Sequence, residues 1–129
     1  MRSPLPTILV LLALPLFLAA STGEWLTRVP SAERIRANPY AKDRDAVPAG
    51  AILFQRSCAS CHGTAAQGDG PHPSLHSPRV QQATEGELHW LLSNGDLRHG
   101  MPSWSRLPDA QRWQIVRYLH SLSPEQPAR

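Results

Sequence analysis

At 129 residues the chain has room for one modest domain and not for two. Thirteen prolines and eight glycines commit much of it to turns, and so small a domain commonly needs a staple or a cofactor to complete its core. The net charge of +3 is slight, and no basic stripe interleaved with aromatics accompanies it, which argues against nucleic acid as a partner.

Residues 1–22 have the layout of an export signal. Arg2 gives a positive start, Ile8 to Ala20 an uncharged leucine-rich run, and Ala19-Ala20-Ser21 small residues for cleavage. The apolar run is short for a bilayer span, which needs about 20 residues, and Pro15 interrupts it. An uncleaved anchor, tethering the domain to a membrane through residues 5–20, is the competing reading. Under either, the domain is exported and works in the periplasm.

Residues 23–44 are polar, contain Pro30 and Pro39, and show no sustained period. They read as a linker or N-terminal arm, with Tyr40 a candidate to pack on the domain. The first helix is predicted from Asp45 to about Cys61, with Pro48 tolerated in its first turn. Val47, Gly50, Ala51, Phe54 and Cys58 form its stripe, and Gly63 ends it. Gly63 to Val80 is a loop punctuated by Gly68, Gly70, Pro71, Pro73 and Pro78.

A second helix is bracketed by a Thr84/Glu87 capping box and an Asn94-Gly95 stop. Its apolar stripe is Leu88, Leu91 and Leu92, which leaves His89 facing solvent. Another loop runs from Gly95 to Leu107. The last helix starts at Pro108, with Asp109 in the first turn, where the helix dipole favours an acid. Ile115, Tyr118, Leu119 and Leu122 give it one buried face, and Pro124 closes it. No stretch alternates as a strand would. The predicted fold is all-α, with the domain at 45–123 and a C-terminal tail at 124–129.

Both cysteines fall in Cys58-Ala59-Ser60-Cys61-His62. On a helical turn, positions i, i+3 and i+4 share a side. Two thiols so placed can add to the two vinyl groups on one edge of a porphyrin, and the adjacent imidazole can reach the iron. A redox dithiol would want a βαβ context, and a structural zinc site would want four ligands. Neither is present in the pattern. The motif therefore predicts one haem c, covalently attached at Cys58 and Cys61, with His62 as an axial iron ligand.

Met101 is the candidate for the other axial ligand. It lies 39 residues beyond His62 in the loop segment Gly100-Met101-Pro102, where Gly100 permits close backbone approach and Pro102 fixes the chain that follows. The other methionine, Met1, belongs to the export segment. The competing reading of Met101 is a gap-filling core residue. His72, His76, His89 and His99 are rival ligands, each more commonly an exposed histidine.

On these residues the chain resembles the class I cytochromes c, over roughly Val47 to Ser123. Cys58-Ala59-Ser60-Cys61-His62-Gly63 and Gly100-Met101-Pro102 carry the likeness. Gly50 and Phe54, at four-residue steps before Cys58, and Ile115 and Tyr118 in the last helix add to it. The resemblance implies three to four helices around a covalently bound haem, with the first and last crossing where Gly50 lets their backbones approach. Asn38-Pro39-Tyr40 through Val47, and Arg98 to Trp104, are similar to small cytochromes that accompany periplasmic quinoprotein dehydrogenases or respiratory oxidases. Arg79, Arg98 and Trp104 are candidates for the haem propionates, against a reading as ordinary loop packing.

Ligation by His62 and Met101 would leave no vacant iron position, so the expected function is single-electron transfer, not catalysis, and no catalytic residue is assigned. The expected partners are a periplasmic dehydrogenase as donor and a terminal oxidase as acceptor. The alternative is a haem ligand sensor or peroxidase-like protein with an open sixth position.

Overall fold

The computed structural model describes residues 24–122; the export or anchor segment and the tail beyond Leu122 lie outside them. Short helices α1 (Trp25–Arg28) and α2 (Ser31–Arg34) are followed by α3 (Ala46–Ser57) and α4 (Ala59–His62). Then come α5 (Pro78–Gln82), α6 (Glu85–Asn94), a single 3-10 turn at Leu97–His99, and α7 (Asp109–Ser121). Among the described residues there is no strand, only two isolated bridges. The all-α expectation holds.

The predicted 45–61 helix is two helices. Cys58 leaves helical geometry at φ −121°, although its N–H still bonds the Phe54 carbonyl at 2.8 Å. A new turn then starts on the Cys58 carbonyl, which accepts from Cys61 and His62 N–H at 3.1 and 3.0 Å. Gly63 stops it with φ +82°, a conformation that glycine adopts without steric cost. The α6 boundary is as read. Thr84 Oγ1 accepts from Glu87 N–H, and the Glu87 carboxylate accepts from Thr84 N–H. Pro108 is the cap of α7, one residue before the helix proper.

The most extensive helix contact is α3 against α7. It is closest at Gly50, where an added Cβ would collide with the Gln114 carbonyl oxygen and stand 2.9 Å from Tyr118 Cβ. Phe54, Trp113, Ile115 and Val116 are fully buried around this crossing. Among the described residues no helix is long and apolar enough to cross a membrane.

The segment 23–44, expected as a linker or arm, is packed into the body from Trp25 onward. Trp25 and Val29 belong to the core cluster. The Asn38 side chain donates to the Trp113 carbonyl at 3.0 Å and is buried. Thr84 Oγ1 donates to the Arg34 carbonyl at 2.8 Å. Gly86 lies so near α2 that a Cβ there would collide with the Glu33 carbonyl oxygen. One-turn helices leave no period in a sequence, so polarity and proline dominated the reading.

Candidate haem site

The break at Cys58 matters for what surrounds it. By restarting the helix, it brings Cys58, Cys61 and His62 to the wall of one cavity of about 250 Å³. Much of the remaining lining is apolar: Phe54 from α3, Leu75 from the loop before α5, Val80 from α5, Leu88, Leu91 and Leu92 from α6, Ile115 and Leu119 from α7. Met101 and Pro102 line it as well, carried by the loop after the 3-10 turn. The four residues singled out in the sequence thus meet at one place.

His62 is oriented by its own loop. Its Nδ1 lies 3.1 Å from the Pro73 carbonyl, which can only accept, so the proton sits on Nδ1 and Nε2 keeps its lone pair. Burial lowers the His62 pKa below the ordinary value; the Pro73 hydrogen bond opposes this and the charge of His72 adds to it. The neutral imidazole that a metal requires is therefore the favoured form. Cys58 and Cys61 are free thiols in the chain itself. Burial, with the neighbouring Cys61 charge second, pushes the Cys58 thiol up to about 11. A dithiol oxidoreductase needs the opposite shift. Two thiols, one neutral imidazole and a thioether around an apolar cavity fit a covalently held haem.

Met101 is held by its backbone. Asp96 N–H donates to the Met101 carbonyl at 2.8 Å, and Met101 N–H to the Asp96 carbonyl at 3.1 Å. Gly100 has φ +82°, and among the described residues, its chain neighbours aside, no atom lies within 4 Å of where its Cβ would stand. Left-handed backbone, not close approach to protein, is what glycine supplies there.

The rival histidines fall in different places. His72 lines the cavity, its ring 6.3 Å from that of His62, with Nδ1 near the Asp69 carbonyl at 3.1 Å. His76 Nε2 lies 2.7 Å from the Ala65 carbonyl. His99 lines the cavity, and its Nδ1 donates to Asp96 at 2.7 Å. His89 corrects the solvent-facing expectation: it is 3% exposed and stacks on Trp113 at 3.9 Å between ring centroids. Arg79 and Trp104 line the cavity, whereas Arg98 faces Glu24 at 3.6 Å. Trp25 and Asp96, which the sequence reading missed, line it too. A lone acid in a loop and a tryptophan in a polar stretch carry no motif.

Residues 45–119 match the family described as cytochrome c oxidase, cbb3-type, subunit III. The chain belongs to this cytochrome c family. It is 34% identical over 91 residues to cytochrome c550 of Pseudomonas aeruginosa, which covers 65% of this chain and 61% of that protein. Over 94 residues it is 32% identical to the cbb3-type cytochrome c oxidase subunit CcoP of Azospirillum brasilense, covering 66% of this chain and 31% of that one. Cytochrome cL from the marine methylotroph Methylophaga aminisulfidivorans is similar in structure, with a TM-score of 0.57, 26% identity, and coverage of 66% and 58% of the two chains. The chain thus spans under two thirds of each of these relatives. As a cytochrome c it carries covalently bound haem c, and Cys58 and Cys61 fit the attachment pattern.

Proposed function

We propose that this chain is an exported, periplasmic monohaem cytochrome c that passes single electrons from a dehydrogenase-type donor to a respiratory acceptor. In this reading Cys58 and Cys61 would hold the haem by thioether bonds, and His62 and Met101 would bind its iron. One observation carries it: His62, its Nδ1 committed to Pro73, and Met101, braced by Asp96, line the same apolar cavity as both cysteines. Residues 1–22 are proposed as the export signal or a membrane tether, and 45–123 as the cytochrome domain. The CcoP relatives are named as oxidase subunits, which supports a terminal oxidase as acceptor. The donor rests on the resemblance of the 38–47 and 98–104 segments.

The haem supplies a one-electron couple when bound. The protein's own share is to fix the ligands and to govern solvent. Pro73 sets the His62 tautomer, so Nε2 is available to the metal without a proton to shed. Met101 contributes a thioether, a weak donor that favours the reduced metal and raises the potential relative to two nitrogen ligands. Phe54, Leu88, Leu92 and Ile115 line the cavity with apolar surface, which would disfavour the more highly charged oxidised form of a haem held there. With His62 and Met101 both bound to the iron, no position would be left for a substrate.

The test uses protein matured in a host competent for c-type attachment. Oxidised wild type should show the weak far-red band of sulfur bound to ferric iron, and reduced wild type should not bind carbon monoxide rapidly. Met101→Ala should lose the band and bind the gas readily. Fast binding by wild type would move the function to ligand sensing or peroxidase-like chemistry.

A further inference from the structure

The turn that carries Met101 is tied to a part of the chain far away in sequence. The Asp96 carboxylate is buried, and both of its oxygens are engaged: one accepts from Arg28 Nη2 and the other from His99 Nδ1, each at 2.7 Å. Glu24 and Arg98 form a second, looser pair between the same two segments, at 3.6 Å. Between these two ties, Trp25 is buried in the core and lines the cavity that Met101 lines. Asp96 is also the residue whose main chain pairs with Met101 in both directions. A buried carboxylate is costly unless its oxygens are satisfied by fixed partners. Here that cost falls on the one residue that holds the Met101 backbone, and it is offset by a cation on α1.

Resting on the reading of Met101 as an iron ligand, we propose that Asp96 is a positioning residue for Met101 and Arg28 its anchor, so that α1 clasps the ligand loop against the cavity. Releasing the clasp lets the loop leave, and the vacated position becomes open to small ligands. Apparent affinity for such a ligand scales with the fraction of molecules whose site is open. A small ligand therefore reports the clasp directly.

The experiment titrates imidazole into the oxidised, haem-loaded protein and follows the far-red sulfur band. Wild type should bind imidazole weakly. Arg28→Ala and Asp96→Asn should each bind it about tenfold more tightly, equivalent to about 1.4 kcal/mol of lost loop stabilisation. Attached haem and helix content should be unchanged in both. Arg28→Lys, which keeps a cation at the carboxylate, should stay near wild type, and Met101→Ala marks the fully open limit. If wild type shows the band and Arg28→Ala binds imidazole no better than wild type, the clasp is wrong and Met101 ligation stands. A lysine variant no different from alanine would overturn the charge pairing. A wild type with no far-red band, binding imidazole as Met101→Ala does, would overturn the ligation reading and the clasp with it. Should Asp96→Asn fail to fold, Arg28→Ala, altered at a partly exposed side chain, decides the matter alone.

Discussion

His89 sits where three kinds of interaction meet. Its ring stacks on Trp113 with an interplanar angle of 13°, and its Nε2 lies 2.9 Å from Asp109 Oδ1. Asp109 also accepts from Trp113 Nε1 at 3.0 Å and Arg112 Nη2 at 2.9 Å. Burial lowers the His89 pKa; Asp109 opposes this, and the charges of Arg36 and Arg112 reinforce it. Burial raises the Asp109 pKa, but His89 and Arg112 outweigh it and bring it below the ordinary carboxylate value. The sign for His89 follows. A histidine held neutral in the fold and free to protonate when unfolded makes the unfolded state the better proton binder. Stability should therefore fall as pH drops below about 6.5, by at most about 1.4 kcal/mol per unit, until the folded value is reached. Asp109 acts in a separate window, since its stabilising pairs are lost only as pH falls below the ordinary carboxylate range. Urea midpoints of haem-loaded protein between pH 7 and 5, for wild type and His89→Phe, check this; an equal slope in the two would remove His89 from the account. The sequence did not disclose this burial, because an apolar stripe counts only apolar neighbours. The partners of His89 lie twenty and more residues away, on α7.

At the level of helices, the α3–α7 crossing sets Phe54, Ile115 and Leu119 at the cavity. An alanine at Gly50 would bring its Cβ into the Gln114 carbonyl, within 2.6 Å of the Gln114 carbonyl carbon and 2.9 Å of Tyr118 Cβ. Backbone atoms cannot rotate aside, so the helices must separate. Better helix propensity returns about 1 kcal/mol, while overpacking of this kind costs about 1–3 kcal/mol. Gly50→Ala should thus be neutral to destabilising, and Gly50→Val, with more bulk and lower propensity, clearly destabilising. At about 4–8 °C per kcal/mol for a domain of this size, the valine variant should melt several degrees lower by calorimetry. An unchanged midpoint would mean that the contact is loose. The two buried faces were legible in the sequence because Gly50, Phe54 and the Ile115/Leu119 positions follow the helical period, while their crossing was what the resemblance to class I cytochromes c implied. Trp113 was missed because it lies off that face, and α1 and α2 because one turn has no period to detect.

For the molecule as a whole, the core and the cavity share their side chains. Phe54, Leu88, Leu92, Ile115 and Leu119 belong to the core cluster and also line the cavity. Left unfilled, the cavity would set these side chains against water instead of against apolar atoms and forfeit their burial on that side. Total stabilities of domains are about 5–15 kcal/mol, so the empty chain should have little or none to spare. Covalent attachment then makes folding and cofactor retention one process. Replacing both thiols, in Cys58→Ser/Cys61→Ser, deletes few packing atoms of the chain itself but removes the covalent hold on what fills the cavity. The colourless variant should lose the cooperative urea transition of the coloured wild type and bind a hydrophobic dye. Limited proteolysis should cut it first around α5, which has few helical neighbours, with α3 and α7 surviving longest because their contact is the most extensive. A colourless variant that unfolded cooperatively at the wild-type midpoint would show that the helices suffice alone, and that the haem is a passenger in this fold.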